Sequence, residues 1–120
     1  MVAEANDRLL HIKESLANIR TLMAGKSIDD LATQPFVRAA LERFLEIISE
    51  ASRHVPDEWK RSFGAEVPWH EVASFGNILR HVYESVDTRV LWSVYQRDLD
   101  PLERAVDAML MAHPPMGGLS

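Results

Sequence analysis

The sequence contains no cysteine. That excludes a disulfide framework, a thiol nucleophile, a zinc–cysteine site and an iron–sulfur cluster, and it fits a reducing compartment such as the cytoplasm. Glycine is sparse, five among 120 residues, and there is no internal repeat or low-complexity block. No apolar run approaches the roughly eighteen residues that suggest a spanning helix. The opening Met1-Val2-Ala3-Glu4-Ala5-Asn6-Asp7 lacks the basic and apolar regions of a signal peptide. Positive charge is in deficit: 13 Lys+Arg against 18 Asp+Glu give −5. Such a chain is no general cation for nucleic acid, so any RNA or DNA contact has to be local. A glycine-rich phosphate loop, a His-Glu-x-x-His pair, a Gly-x-Ser-x-Gly elbow and an EF-hand loop are all missing. The five histidines, at 11, 54, 70, 81 and 113, share no metal-ligand spacing, so neither metal nor cofactor is expected. These absences predict a soluble cytoplasmic protein without a membrane partner.

What remains is an ordinary globular mixture, 47% hydrophobic and 26% charged, in a chain long enough for one domain. Its periodicity is helical almost throughout. Leu9, Ile12, Leu16, Ile19 and Met23 form one stripe on a helix from about Glu4 to Ala24, which Gly25 ends. Ser27-Ile28-Asp29-Asp30 reads as an N-cap with acids in the first turn of a short helix. Pro35 suits the first turn of a helix running to about His54, whose apolar residues cover more than one stripe and call for cover on two sides. Asp57 is a candidate cap for a turn through Trp59 and Phe63, broken by Gly64. Pro68 opens a helix from Trp69 to about Ser85 with Val72, Phe75, Leu79, Val82 and Val86 as its stripe. Asp87 then caps a continuation through Val90, Leu91, Val94 and Tyr95. Asp100-Pro101-Leu102-Glu103 combines an N-cap, a proline at the first helical position and an acid at the third, and predicts a fresh helix start. The predicted fold is an all-α antiparallel bundle of four to five main helices over residues 1–113, with 114–120 as a loose tail.

One stretch departs from plain amphipathicity: Gly76-Asn77-Ile78-Leu79-Arg80-His81-Val82-Tyr83-Glu84. On a wheel of about 100° per residue, Gly76, Arg80, Glu84, Asn77 and His81 share the arc away from the predicted core, while Tyr83 borders the stripe. Two readings fit that arc. It is a solvated face with an Arg80–Glu84 pair, or it is a site that joins a guanidinium, an amide and an imidazole.

The same run, continued by Val86-Asp87 and Val90-Leu91-Trp92, resembles the HepT-like HEPN family, the ribonuclease toxins of MntA/HepT toxin–antitoxin modules. The family motif reads Arg-x-x-x-x-His-x-Tyr, usually with Asn after the Arg. Phe36 to Ala51 resembles the family's second long helix, where Gly commonly stands at the Ser49 position, and Val67-Pro68-Trp69 resembles its Pro-x-Trp lead-in. The likeness runs from about Leu9 to Val106. His81 and Tyr83 match the motif, whereas Gly76 stands where its arginine belongs; Arg80 lies one turn further on, long enough to lean back over the gap.

The resemblance implies a homodimer whose motif helices line a shared cleft, and metal-independent endoribonuclease action. His81 would serve as general acid and base for attack of an RNA 2′-hydroxyl on the adjacent phosphate, a task that imidazole's near-neutral pKa suits. Arg80 would stabilise the phosphorane, and Asn77 would hold substrate or imidazole. It implies as well an MntA-like nucleotidyltransferase antitoxin that adds AMP to Tyr83 and silences the toxin. The alternative implied by Gly76 is a catalytically silent HEPN module that only binds a nucleotidyltransferase. Trp59, Trp69 and Trp92 read as packing anchors.

Overall fold

The computed structural model describes residues 2–81 and 86–114, with His81 described by its backbone alone. Among the described residues seven α-helices follow in order: α1 (Val2–Met23), α2 (Ile28–Thr33), α3 (Pro35–Ser52), α4 (Asp57–Phe63), α5 (Trp69–His81), α6 (Thr88–Ser93) and α7 (Leu99–Ala112). A π-helical turn, Val94–Asp98, joins the last two. The protein is all-α, as its periodicity requires. No described helix is long and apolar enough to cross a membrane.

The stripe on α1 is the spine of the core: Leu9, Ile12, Leu16 and Ile19 are completely buried, against Leu41, Leu45 and Ile48 of α3 and Leu102, Val106 and Met109 of α7. Gly25 ends α1 at a positive φ of 74°, a conformation cheap only without a Cβ. Ser27 and Asp30 exchange side-chain and backbone hydrogen bonds in a capping box. Pro35 occupies the first turn of α3.

Two expected boundaries are corrected. Asp57 is the first helical residue of α4 and not its cap, which is Pro56. Asp100 does not start a helix, because the chain is already helical from Leu99. Its carboxylate instead accepts a hydrogen bond from Arg20 of α1 at 2.8 Å, as Glu103 does at the same distance. The acids that resemble a cap are used to tie α7 to α1, with Lys13–Asp107 at 2.6 Å continuing the seam. Pro101 lies a few residues beyond the π turn, where the widened register relaxes the clash that a helical proline makes with the preceding turn.

The tryptophans are anchors. Trp59 stacks on His113 with ring centroids 3.7 Å apart, and Asn6 of α1 donates to the His113 carbonyl at 2.7 Å. The Trp69 indole donates to the Gly64 carbonyl at 2.8 Å. Arg38 of α3 pairs with Glu42, donates to Thr88 at 2.8 Å and also to the Val86 carbonyl. The chain just after the motif helix is thereby fastened to α3.

The contact that sets the approach of α5 to α3 is made by Ser49 and Gly76. Ser49 is 3% exposed; its hydroxyl accepts from the Gly76 N–H at 3.0 Å and donates to the Ala73 carbonyl at 2.9 Å. A Cβ on residue 76 would stand 2.6 Å from that oxygen and 2.9 Å from the Ser49 Cβ. Gly76 is therefore buried in the interface between the helices and not on the outward arc that the wheel gives it. Gly76→Ala is expected to cost about 1–3 kcal/mol through overpacking, measured by urea unfolding. Combined with Ser49→Gly it should cost less than the sum of the two single changes, since the serine side chain is the obstacle.

Candidate functional site

The motif helix α5 begins at Trp69, held by its indole bond, and its first buried anchor is the Ser49–Gly76 contact. From there the helix carries Asn77 and Arg80 outward. Both are exposed, and they touch: an Arg80 amine donates to the Asn77 side-chain oxygen at 2.8 Å. The other amine of Arg80 lies 3.9 Å from the point where a Gly76 Cβ would stand. The guanidinium thus folds back along its own helix by one turn, over the glycine and onto the amide. Three of the residues singled out in the sequence, Gly76, Asn77 and Arg80, are brought together.

The remaining two are placed differently. His81 is the last described residue of α5, and its side chain lies outside the described residues. Tyr83 lies outside them altogether, as do residues 115–120 of the expected tail. The expected Arg80–Glu84 pair also falls there.

Arg80 further borders a groove of about 170 Å³ between α1, α3 and α5. Its polar lining is Arg8 and His11 from α1, Arg43, Glu46 and Glu50 from α3, and Arg80 itself. Arg43 contacts Glu46 at 3.5 Å, and Glu50 reaches His54 at 3.3 Å. Sequence reasoning leaves Arg8 and His11 without a role. The signal was their position: each immediately precedes a stripe residue, Leu9 or Ile12, so they flank the core stripe on neighbouring turns.

A second concavity, about 220 Å³, has an apolar wall from Leu45, Ile48, Val72 and Phe75 of α3 and α5, with Glu71 and Asp98 on it. Burial pushes the Asp98 carboxyl up, and the nearby Glu71 adds to the shift. Carboxylates beside an apolar wall repel a phosphate backbone. Val72 and Phe75 line this cavity and are accordingly only half-buried. Among the described residues no cluster of His, Asp or Glu is arranged to hold a metal ion.

The comparisons with known proteins agree on one assignment. The sequence model of the family described as "Ribonuclease HepT-like" matches residues 12–109. A Thermococcus cleftensis protein named "Probable ribonuclease HepT" is 35% identical over 97 residues, covering 81% of this chain and 87% of its own. The Caldanaerobacter subterraneus protein named "Putative RNase TTE0752" is 31% identical over 102 residues, 85% of this chain and 90% of its own. A Methanocaldococcus jannaschii protein, "Gamma-glutamylcyclotransferase and putative RNase MJ0434", is 34% identical over 98 residues; these are 82% of this chain but 44% of that longer one. No solved structure matches. The match spans every helix that builds the α3–α5 contact and the Asn77–Arg80 pair, and by it the chain belongs to the HepT-like ribonuclease family.

Proposed function

We propose that this protein is the toxin of a HepT-type toxin–antitoxin module and a metal-independent endoribonuclease. The observation that carries the reading is the Arg80 guanidinium, returned over Gly76 and steadied by Asn77, on the helix that also carries His81. A guanidinium fixed by a neutral amide keeps its full charge and most of its donors for a phosphate. The family's arginine begins at the Gly76 position; here the same charge arrives from one turn further along.

In this reaction His81 takes the proton from an RNA 2′-hydroxyl, whose oxygen attacks the adjacent phosphorus. The bond from phosphorus to the 5′-oxygen breaks, and that oxygen receives a proton from an imidazole. The products are a 2′,3′-cyclic phosphate and a 5′-hydroxyl. Arg80 stabilises the charge that collects on the equatorial oxygens between attack and departure. The need for a 2′-hydroxyl selects RNA over DNA.

The active form in this reading is a homodimer with the two motif helices along one cleft, in the cytoplasm. Apolar surface is available for a second copy: Phe36 is 90% exposed, and Ile78 of α5 and Val90 of α6 are exposed as well. Tyr83 is the point of control. AMP added there by a nucleotidyltransferase antitoxin sets a bulky anion in the cleft, which repels the RNA backbone.

A second reading has an observation of its own. Ser49 fills the space in which any side chain at residue 76 would begin, so the motif's arginine is sterically excluded and the domain becomes a silent module that binds a nucleotidyltransferase. Gly76→Arg alone would strain the helix pair, and the fair comparison is Ser49→Gly with Gly76→Arg. If the wild type is inert and the double variant cuts RNA, the silent reading holds. If the wild type cuts and Arg80→Ala loses at least about a hundredfold in rate, as loss of one transition-state donor does, the nuclease reading holds.

His81→Ala should abolish RNA cleavage and growth arrest while leaving the circular dichroism and melting temperature intact; cleavage that survives the change in the presence of a chelator refutes the assignment. Coexpression with an MntA-like nucleotidyltransferase should add one or more AMP masses to the intact protein and none to Tyr83→Phe.

A further inference from the structure

We propose that the groove between α1, α3 and α5 is a phosphate-binding track for single-stranded RNA, in which Arg8 and Arg43 hold the backbone next to the nucleotide that Arg80 engages. The inference rests on the ribonuclease reading for its substrate, and on the groove for its location.

Three guanidiniums from three different helices open into one concavity, together with the His11 imidazole. Two carboxylates, Glu46 and Glu50, share it, so three guanidiniums against two carboxylates leave its lining positive. Glu46, with its side chain 19% exposed, contacts Arg43 at 3.5 Å, so it orients that guanidinium without burying it, the Arg43 side chain being 70% exposed. Glu50 is engaged by His54 at 3.3 Å, on the side of α3 towards its C-terminus. Arg80 spends one amine on a neutral amide. Among the described residues Arg8 makes no ion pair. The groove therefore offers several unspent guanidinium donors in a chain whose net charge is −5, and a phosphodiester accepts from guanidinium in bidentate fashion. His11 adds a flat ring against which an unstacked base can lie.

The location argues for a track and not for a lone anion hole. Arg80 belongs to both the groove and the Asn77 pair. Because α3 packs against both α1 and α5, a strand whose reactive phosphate meets Arg80 on α5 would run across α3 past Arg43 and on to α1 past Arg8. Residues of the first helix, remote in sequence from the motif, become part of substrate binding.

The test uses the full chain and a fluorescein-labelled, 2′-O-methylated single-stranded RNA, which binds without being cut. Arg8→Gln with Arg43→Gln should weaken binding about tenfold and reduce the slope of log affinity against log salt by about 1.4, two contacts at about 0.7 each. Cleavage of unmodified RNA should show a raised KM with kcat unchanged. Lysine at both positions should restore the slope. Arg104→Gln on α7, outside the groove, should change neither quantity. Unaltered affinity and slope in the double variant overturn the track, as does an equal loss from Arg104→Gln, which would mark a general field effect. A wild type that binds the methylated RNA through these arginines but never cuts the unmodified strand leaves the track standing and refutes the nuclease reading. A wild type that cuts RNA without needing Arg8 or Arg43 does the reverse.

Discussion

Ser49 and Gly76 determine how closely two long helices approach, and the rest of the candidate site follows from that distance. A buried hydroxyl that both accepts from one backbone N–H and donates to one backbone carbonyl of the facing helix satisfies its own hydrogen-bonding needs at no cost in exposed polar surface. It demands, in return, that residue 76 have no side chain. Glycine weakens an isolated helix; here the tertiary contact offsets that weakness. Because α5 is pinned at this point, the next turn of the same helix is turned outward at a defined angle, and Asn77 and Arg80 are delivered together.

The same contact accounts for the limits of reading the sequence. The α1 stripe, the Gly25 stop, the N-cap at Ser27 and the α3 start at Pro35 are all legible, because each is a local preference that tertiary structure leaves alone. The wheel placed Gly76 outward since a helical wheel scores apolar side chains, and a glycine has none to score. Its burial depends on a serine 27 positions away, which no periodicity in α5 contains. Asp100 misled for a related reason: an acid before a proline has the chemistry of a cap, but Arg20 on α1 offers it a charged partner, and the π turn lets the helix pass through without a break. The Asn77–Arg80 pair was within reach of sequence reasoning, being three residues apart on one helix. The groove was not, because its lining comes from three helices.

A chain with five excess negative charges can still present a cation to RNA if its charges are sorted by face. On α1 that sorting is visible. Lys13 and Arg20 are seven positions apart, hence on one side, and both are spent on the acids of α7. Arg8 is five positions before Lys13, about 140° round the helix, and His11 about 160°. They belong to a different seam, the one shared with α3 and α5. Exposed charges more than about 8–10 Å apart are largely screened from one another at physiological salt. The carboxylates of the α7 seam and of the apolar cavity contribute to solubility and to the overall sign, yet a strand lying in the proposed track would be governed mainly by what lines it. Facing α7, the cations of α1 are tied in ion pairs, whereas Arg8, in a groove that also holds Glu46 and Glu50, makes none among the described residues, and net charge alone is a poor guide to such differences.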